Sequence, residues 1–211
     1  SIPDHLRPQY KPEPGDEKMW VLMCRRATME TVLRKYVIQT TSVTIKNRIS
    51  VTDIIINEND RQDVVLEGLR VVDHQNNNEK SELFSDIVID STGRSSKFSK
   101  WLSNCGIDIT EERDDAEIVY YTRHYCLKDG VPEPPRDAKN PSMGDLGYMK
   151  YGIFPGDGGH FALIICLPNE EKELREAIKS GEKFDEIGMT IPGLRPWLSK
   201  DKSDATTAPF G

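Results

Sequence analysis

Short β-rich runs separated by polar turns constrain the fold of this 211-residue chain more than any other feature of its sequence. Three such runs follow one another at residues 43–45, 50–56 and 64–73. The polar residues 57–60 between the second and third runs suit a hairpin turn. Because strands joined by short turns pair with their sequence neighbours, the first half of the chain is predicted to contain a small antiparallel meander.

A helix is predicted before the meander and a strand–turn–helix segment after it. Apolar residues recur before the meander at helical spacing; they are Met29, Val32, Leu33, Tyr36 and Val37. After the meander, the apolar residues 86–90 predict a short strand that enters a turn at Ser91, Thr92 and Gly93. The residues that follow, from Phe98, predict a short helix.

The second half is predicted to be an antiparallel sheet with a helix. Residues 118–127 read as a strand, and near residues 148–154 and 160–167 two more strands are joined by a Gly-rich hairpin tip. Alternation places one set of polar and aromatic residues on each face of the first strand. One set is Tyr121, Arg123 and Tyr125, and the other is Tyr120, Thr122 and His124. A helix is expected over residues 170–179, capped by Asn169 and followed by Gly181 as a stop signal.

These elements predict an α+β chain with two structural units. The composition turns acidic around residues 105–115, and the passage between the units is placed there. We assign residues 1–108 to a first unit built on the helix and the meander, and residues 109–211 to a second unit built on the antiparallel sheet.

Charge and composition exclude several classes of function. The chain has 28 Lys plus Arg against 35 Asp plus Glu, a net charge of −7, and a negative chain without basic runs repels nucleic acid. No apolar stretch approaches the roughly 20 residues that cross a bilayer. The four cysteines are scattered singly and the four histidines never come at close spacing, which favours buried thiols in a reducing compartment and no metal site. A soluble, cytoplasmic protein is expected.

Several segments carry a resemblance to a known family. The segment Cys24-Arg25-Arg26-Ala27-Thr28-Met29-Glu30 resembles the Arg-x-x-x-Glu helix entry of the p-hydroxybenzoate-hydroxylase-like flavoprotein superfamily. Residues 86–94, which include Ser91-Thr92-Gly93, resemble the apolar strand ending in Ala-Thr-Gly of that superfamily. Later segments, at residues 120–125, 152–159 and 192–194, resemble parts of its substrate-side domain. In these terms, residues 1–108 are a partial FAD-binding domain and residues 109–211 a partial substrate-binding domain.

The resemblance implies FAD as the cofactor and three residues that bind it. Arg26 would approach the FAD phosphates or ribose, and Thr92 and Gly93 would lie beside the cofactor-binding cleft. The alternative for Arg26 is an exposed arginine at a helix start, although a cation there opposes the helix dipole and needs another partner. Arg25 is the adjacent alternative, and for residues 91–93 the alternative is a turn that binds no ligand.

The chain also departs from the family pattern. The Gly-x-Gly-x-x-Gly turn that lets a pyrophosphate approach a helix N-terminus is absent, and so is the family's later Gly-Asp-Ala segment. Residues 156–159 are not a substitute, since they read as a hairpin turn between two strands. The resemblance therefore implies an internal fragment, inactive alone, that holds FAD weakly or not at all.

The aromatic face of the predicted strand 118–127 supplies candidate substrate-binding residues. Tyr121, Arg123 and Tyr125 would line a pocket over the flavin ring, with Arg123 holding an anionic or carbonyl group. The alternative is a face that packs under a helix, with Arg123 paired to an acidic neighbour. His124, on the opposite face, is interpreted as structural, and no catalytic residue is assigned.

The resemblance implies part of an FAD-dependent oxidoreductase of monooxygenase type. Its substrate would be a small or medium organic molecule, with NAD(P)H as a candidate electron donor. A flavin-dependent halogenase or a reductase on the same scaffold is one alternative. A non-enzymatic α+β binding module is the other. The sequence identifies no substrate and no oligomeric state.

Overall fold

A computed structural model describes residues 9–11, 13–18, 21–57 and 65–211. Two compact units divide the chain: residues 37–114 form one, and residues 1–36 together with 115–211 form the other. The assignment of FAD-binding and substrate-binding roles to residues 1–108 and 109–211 stays a prediction.

Helix α1 (Arg26–Thr40) is the helix predicted before the meander. It passes from one unit into the other at residue 37. Most of its apolar residues are exposed, among them Val32, Leu33 and Tyr36, while Val37 is half-buried. No residue of the helix is fully buried in the described part of the chain. Packing within the described chain therefore leaves most of its apolar stripe uncovered.

The unit of residues 37–114 contains the predicted meander, shifted along the sequence. Strands β1 (Ile49–Asn57), β2 (Val65–Asp73) and β3 (Glu79–Phe84) form an antiparallel sheet in the order β1-β2-β3. The first predicted run, 43–45, forms no strand. The third strand instead follows a turn in which Asn77 and Asn78 adopt positive φ values of 47° and 59°, a conformation that asparagine tolerates. Of the predicted turn at residues 57–60, all but the first lie outside the described residues.

The apolar residues 86–90 do not form the predicted strand. Ile87 and Ile89 are 78% and 83% exposed, and the segment has no regular structure. A strand requires a hydrogen-bonded neighbour, and no described strand lies beside this segment. The predicted turn and short helix do form, as a 3₁₀ turn at Gly93–Ser95 and helix α2 (Phe98–Asn104).

The other unit is built on a five-stranded antiparallel sheet. Its strands are β4 (Ile118–Leu127), β5 (Met143–Asp145), β6 (Lys150–Pro155), β7 (His160–Pro168) and β8 (Ser203–Ala205). They lie in the order β5-β6-β7-β4-β8, and β4 pairs with β7 over almost its full length. The predicted strands and the Gly-rich hairpin of the second half are therefore confirmed.

One face of this sheet packs against three helices. They are α3 (Lys172–Ala177), α4 (Gly181–Thr190) and α5 (Arg195–Leu198). The core between them buries Leu163, Ile165 and Leu167 of β7 against Ile178 and Phe184. Alternate β7 side chains thus point to the helices, which leaves the opposite face open for other uses.

The helix predicted over residues 170–179 is shorter, and Gly181 begins a helix instead of ending one. Asn169 does not cap α3. A Cβ atom at position 181 would lie 2.8 Å from Nη2 of Arg123, so a side chain at this position would crowd the Arg123 guanidinium.

Within the described ranges, no helix is long and apolar enough to cross a membrane, and no cluster of three metal-ligating side chains is found. All four cysteines are free thiols, but only Cys166 is buried. The expectation of buried thiols is wrong for the other three, since Cys105 is exposed and Cys24 and Cys126 are half-buried.

Candidate functional site

A cavity of about 560 Å³ lies on the open face of the five-stranded sheet. Its floor includes residues that lie directly opposite one another on adjacent strands: Phe154 of β6 faces Ala162 of β7, which faces His124 of β4. Thr206 follows β8 and donates its N–H to the His124 carbonyl at 2.8 Å. Because Ala162 is small and its neighbours are larger, the floor is recessed at its centre.

Opposite the β-sheet residues, the cavity is lined by the chain that leads into α1. We call this chain, residues 22–27, the entry segment. It contributes both apolar and cationic side chains to the lining, and it ends in the first two residues of α1. The lining residues not yet named in this subsection are Leu22, Met23, Cys24, Arg25, Arg26, Ala27, Pro155, Gly156, His160, Phe161 and Thr207.

Asp157, at the tip of the β6–β7 hairpin, holds the entry segment. Its Oδ1 accepts the backbone N–H of Arg25 at 2.8 Å. Its Oδ2 accepts Nε and Nη2 of Arg25 at 3.1 and 2.7 Å and the hydroxyl of Thr28 at 3.1 Å. The Arg25 guanidinium, followed by the Arg25 backbone N–H, holds the pKa of Asp157 well below its ordinary value. The carboxylate is therefore ionised wherever the protein is folded near neutral pH.

Arg26, the predicted FAD-binding arginine, is the first residue of α1 and lines the cavity. Its side chain is 86% exposed, and its Nε donates to Oε1 of Glu30 at 2.5 Å. Glu30 is thus a partner for this cation within the chain. The FAD-binding role of Arg26 stays a prediction, as does that of Arg25, whose guanidinium is already bound to Asp157.

Thr92 and Gly93, the other predicted cofactor-binding residues, lie in the unit of residues 37–114. Both the N–H and the hydroxyl of Thr92 donate to Oδ1 of Asp90, at 2.9 and 2.6 Å. Ser96 also donates to Asp90, and these hydrogen bonds, from Ser96 first and Thr92 next, lower the pKa of Asp90. The polar groups of the turn that are described here therefore bond to Asp90 within the same segment. The role of Thr92 and Gly93 beside the cofactor stays a prediction.

Tyr121, Arg123 and Tyr125 share one face of β4, as the alternation predicts, and this face packs against the helices. Tyr125 is buried, and its hydroxyl donates to Oδ1 of Asp185 at 2.6 Å. Burial first, and then the bond to Asp185, raises the pKa of Tyr125 above its ordinary value. Tyr121 packs at the edge of the same core.

Arg123 connects three parts of this unit. Its side chain is 15% exposed, and Nη1 lies 2.8 Å from Oδ1 of Asp185 in α4. It also donates to the carbonyls of Gly181 at 2.5 Å and Thr207 at 2.9 Å. This geometry is that of the alternative in which the face packs under a helix, and a substrate-binding role for the three residues stays a prediction.

His124 lies on the opposite face from Arg123 and lines the cavity. Its ring stacks on Phe210 with the centroids 5.5 Å apart, and its backbone N–H donates to the Thr207 hydroxyl at 3.0 Å. Sequence reasoning gave this residue a structural role. The signal that points to the cavity is the alternation itself, combined with the small Ala162 directly opposite.

Comparisons with known proteins identify the fold. No family model and no curated protein matches the chain. Three solved structures illustrate the matches that were found. The flavin-dependent brominase Bmp2 has a TM-score of 0.56 at 17% identity, with 88% of this chain and 42% of that chain covered. A probable FAD-dependent monooxygenase of Pseudomonas aeruginosa, PqsL, has a TM-score of 0.52 at 16% identity, covering 86% and 46%. A flavoprotein/dehydrogenase of Cytophaga hutchinsonii has a TM-score of 0.59 at 14% identity, covering 90% and 42%.

At these identities the similarity establishes the fold. The chain has the α+β fold of a part of flavin-dependent proteins such as Bmp2, PqsL and the halogenase CmlS. The predicted fold class and the predicted resemblance are confirmed at this level. The chain spans less than half the length of these proteins.

Proposed function

We propose that the chain is part of an FAD-dependent oxidoreductase of monooxygenase type that acts on a small or medium organic molecule. The cavity on the open sheet face is the substrate site, and Arg26 at its edge binds the phosphates or ribose of FAD. The single observation that carries the proposal is this cavity. It lies in a chain with the fold of flavin-dependent enzymes, and its lining includes the arginine predicted to bind the cofactor.

The chemistry of the lining supports a substrate site. A volume of about 560 Å³ falls in the range usual for small-molecule pockets. Leu22, Phe154 and Ala162 supply apolar surface, while His124 and Thr207 supply polar groups. Apolar walls exclude water from a reacting centre, and a few polar groups orient the substrate.

The donor set at the entry segment fits a cofactor that carries phosphates. Arg25 and Arg26 are adjacent, and no carboxylate is among the described residues that line the cavity. The described contact of Arg26 with Glu30 uses Nε, and the Arg26 side chain is 86% exposed. Guanidinium groups bind phosphate oxygens through paired donors. FAD, when bound, supplies the redox chemistry, with the reduced cofactor activating oxygen.

A visible absorption spectrum of the complete purified protein tests the proposal. Flavin bands, retained on gel filtration and bleached by NAD(P)H under anaerobic conditions, are the expected result. Complete protein that neither retains added FAD nor consumes NAD(P)H would overturn the proposal and would favour the non-enzymatic binding module.

A halogenase is the second candidate, since the same fold occurs in a flavin-dependent brominase and in the flavin-dependent halogenase CmlS. Product analysis separates the two activities. With reduced flavin, oxygen and a panel of aromatic substrates, monooxygenase chemistry gives hydroxylated products whether or not bromide or chloride is added. Halogenated products that appear only with the halide would replace the first proposal with the second.

A further inference from the structure

The carboxylate of Asp157 makes more directional contacts than a surface ion pair usually does. An exposed ion pair contributes little to the free energy of folding and holds its side chains only loosely in place. Asp157 instead accepts one backbone N–H, two guanidinium donors and one hydroxyl, all from residues 25–28. Those groups stand at the start of α1, where backbone donors have no partner inside the helix. The hairpin tip therefore acts as a helix cap supplied from 132 residues away.

The hairpin tip is shaped for this approach. The backbone N–H of Gly156 donates to the His160 carbonyl at 2.7 Å and closes the turn. A Cβ atom at position 156 would lie 3.1 Å from Cγ of Arg25 and 3.2 Å from the His160 carbonyl oxygen. The absence of a side chain at Gly156 therefore lets the entry segment lie against the tip.

The same contacts join two walls of the cavity. Pro155 and Gly156 line it from the hairpin, and Arg25 and Arg26 line it from the entry segment. Asp157 is the group that bonds one wall to the other. The position of Arg26 relative to the sheet thus depends on a residue that does not line the cavity.

We propose that Asp157 is a positioning residue, which holds the entry segment against the β6–β7 hairpin so that the cavity keeps its wall and Arg26 is presented to a phosphate-bearing ligand. The part that concerns the ligand rests on the proposed function. The part that concerns the wall does not.

The test compares Asp157→Asn, Asp157→Glu and Asp145→Asn in the complete protein. Asparagine keeps the shape of Asp157 but loses the negative charge that binds the Arg25 guanidinium, whereas glutamate keeps the charge. Asp145 is the matched control, because it also accepts a backbone N–H, that of Gly147 at 2.8 Å, and pairs with a cation, Lys150, outside the cavity.

Hydrogen exchange without added FAD tests the wall. Asp157→Asn should accelerate exchange of the amides of residues 25–29 by about tenfold, while β4 and β7 exchange as in the wild type. Asp157→Glu should restore part of the protection, and Asp145→Asn should leave these amides unchanged. Unchanged exchange in Asp157→Asn, or acceleration spread over the whole sheet, would overturn the proposal.

FAD titration, followed by quenching of flavin fluorescence, tests the presentation of Arg26. Asp157→Asn should raise the dissociation constant of FAD by about tenfold at an unchanged melting temperature, with partial recovery in Asp157→Glu. A lower melting temperature with unchanged FAD affinity would overturn the positioning role. If the wild type itself does not bind FAD, the proposed function fails, and the exchange data still decide whether Asp157 holds the wall.

Discussion

At the scale of single residues, Arg26 carries the cofactor hypothesis. Arg26→Ala in the complete protein should weaken FAD binding by about tenfold, because a guanidinium-to-phosphate contact is charge-assisted. Equilibrium titration with FAD measures this. Lys35→Ala, which removes an exposed cation from the same helix outside the cavity, should leave the affinity unchanged. Equal affinities in wild type and Arg26→Ala would make Arg26 a surface residue paired with Glu30.

Arg123 tests the sequence-based prediction that its face of β4 binds substrate, against the alternative that this face packs under a helix. Arg123→Ala removes the bond to Asp185 and two bonds to carbonyls. We expect a loss of about 1–3 kcal/mol of unfolding free energy, since Asp185 stays partly solvated. The melting temperature should fall by several degrees, while Arg113→Ala, at an exposed ion pair, should not change it.

Kinetics on the same Arg123→Ala variant decide the substrate role. If Tyr121, Arg123 and Tyr125 bind substrate, turnover per folded molecule falls while flavin content is kept. Turnover per folded molecule and a melting temperature both equal to those of the wild type would remove Arg123 from the predicted substrate-binding residues.

At the scale of elements, the first residue of α4, Gly181, lies against the guanidinium of Arg123. Gly181→Ala would place a Cβ atom 2.8 to 3.0 Å from the guanidinium of Arg123, and overpacking of this kind costs about 1–3 kcal/mol. Chemical denaturation should show this loss in the wild-type background. In an Arg123→Ala background the space is free and alanine favours helix, so the same change should be neutral or stabilising. Additive losses in the double variant would show that the two residues do not interact.

The elements also show what the sequence predicts and what it does not. The alternation in residues 118–127 gives strand β4 with its correct bounds and its two correct faces. It does not show which face the helices cover, because both faces carry aromatic and polar residues. The helices that cover one face come from residues 172–198, which lie far away in the sequence. The sequence alone therefore predicts neither the cavity on the open face nor the place of His124 in its lining.

The predicted strand at residues 86–90 is wrong and strand β3 was not predicted, and the two outcomes have a related cause. The segment 86–90 has the apolar composition of a strand but no partner in the described structure, whereas β3 is mostly polar and is a strand because β2 pairs with it. In both cases, whether the segment forms a strand depends on a non-local pairing partner and not on its local composition. The hairpin 155–159 was predicted correctly as a turn, but the bonds from Asp157 to residues 25–28 leave no local signal.

At the scale of the whole molecule, stability is unevenly distributed. The largest described core lies between the five-stranded sheet and α3–α5, and Leu163, Ile165 and Leu167 are fully buried in it. Native-state hydrogen exchange should therefore be slowest in β4 and β7 and fastest in residues 86–92, with β1–β3 between them. Peptide-resolved mass spectrometry measures this order. Uniform protection across all three regions would contradict it.

The distance along the chain between Arg25 and Asp157 has a consequence for synthesis. The residues that start α1 leave the ribosome 132 residues before the carboxylate that caps them, a delay of roughly 7–26 s at ordinary rates of elongation. A helix of this length is marginal on its own in water. The beginning of α1 therefore cannot gain this cap until the β6–β7 hairpin, which is made later, has also been synthesised.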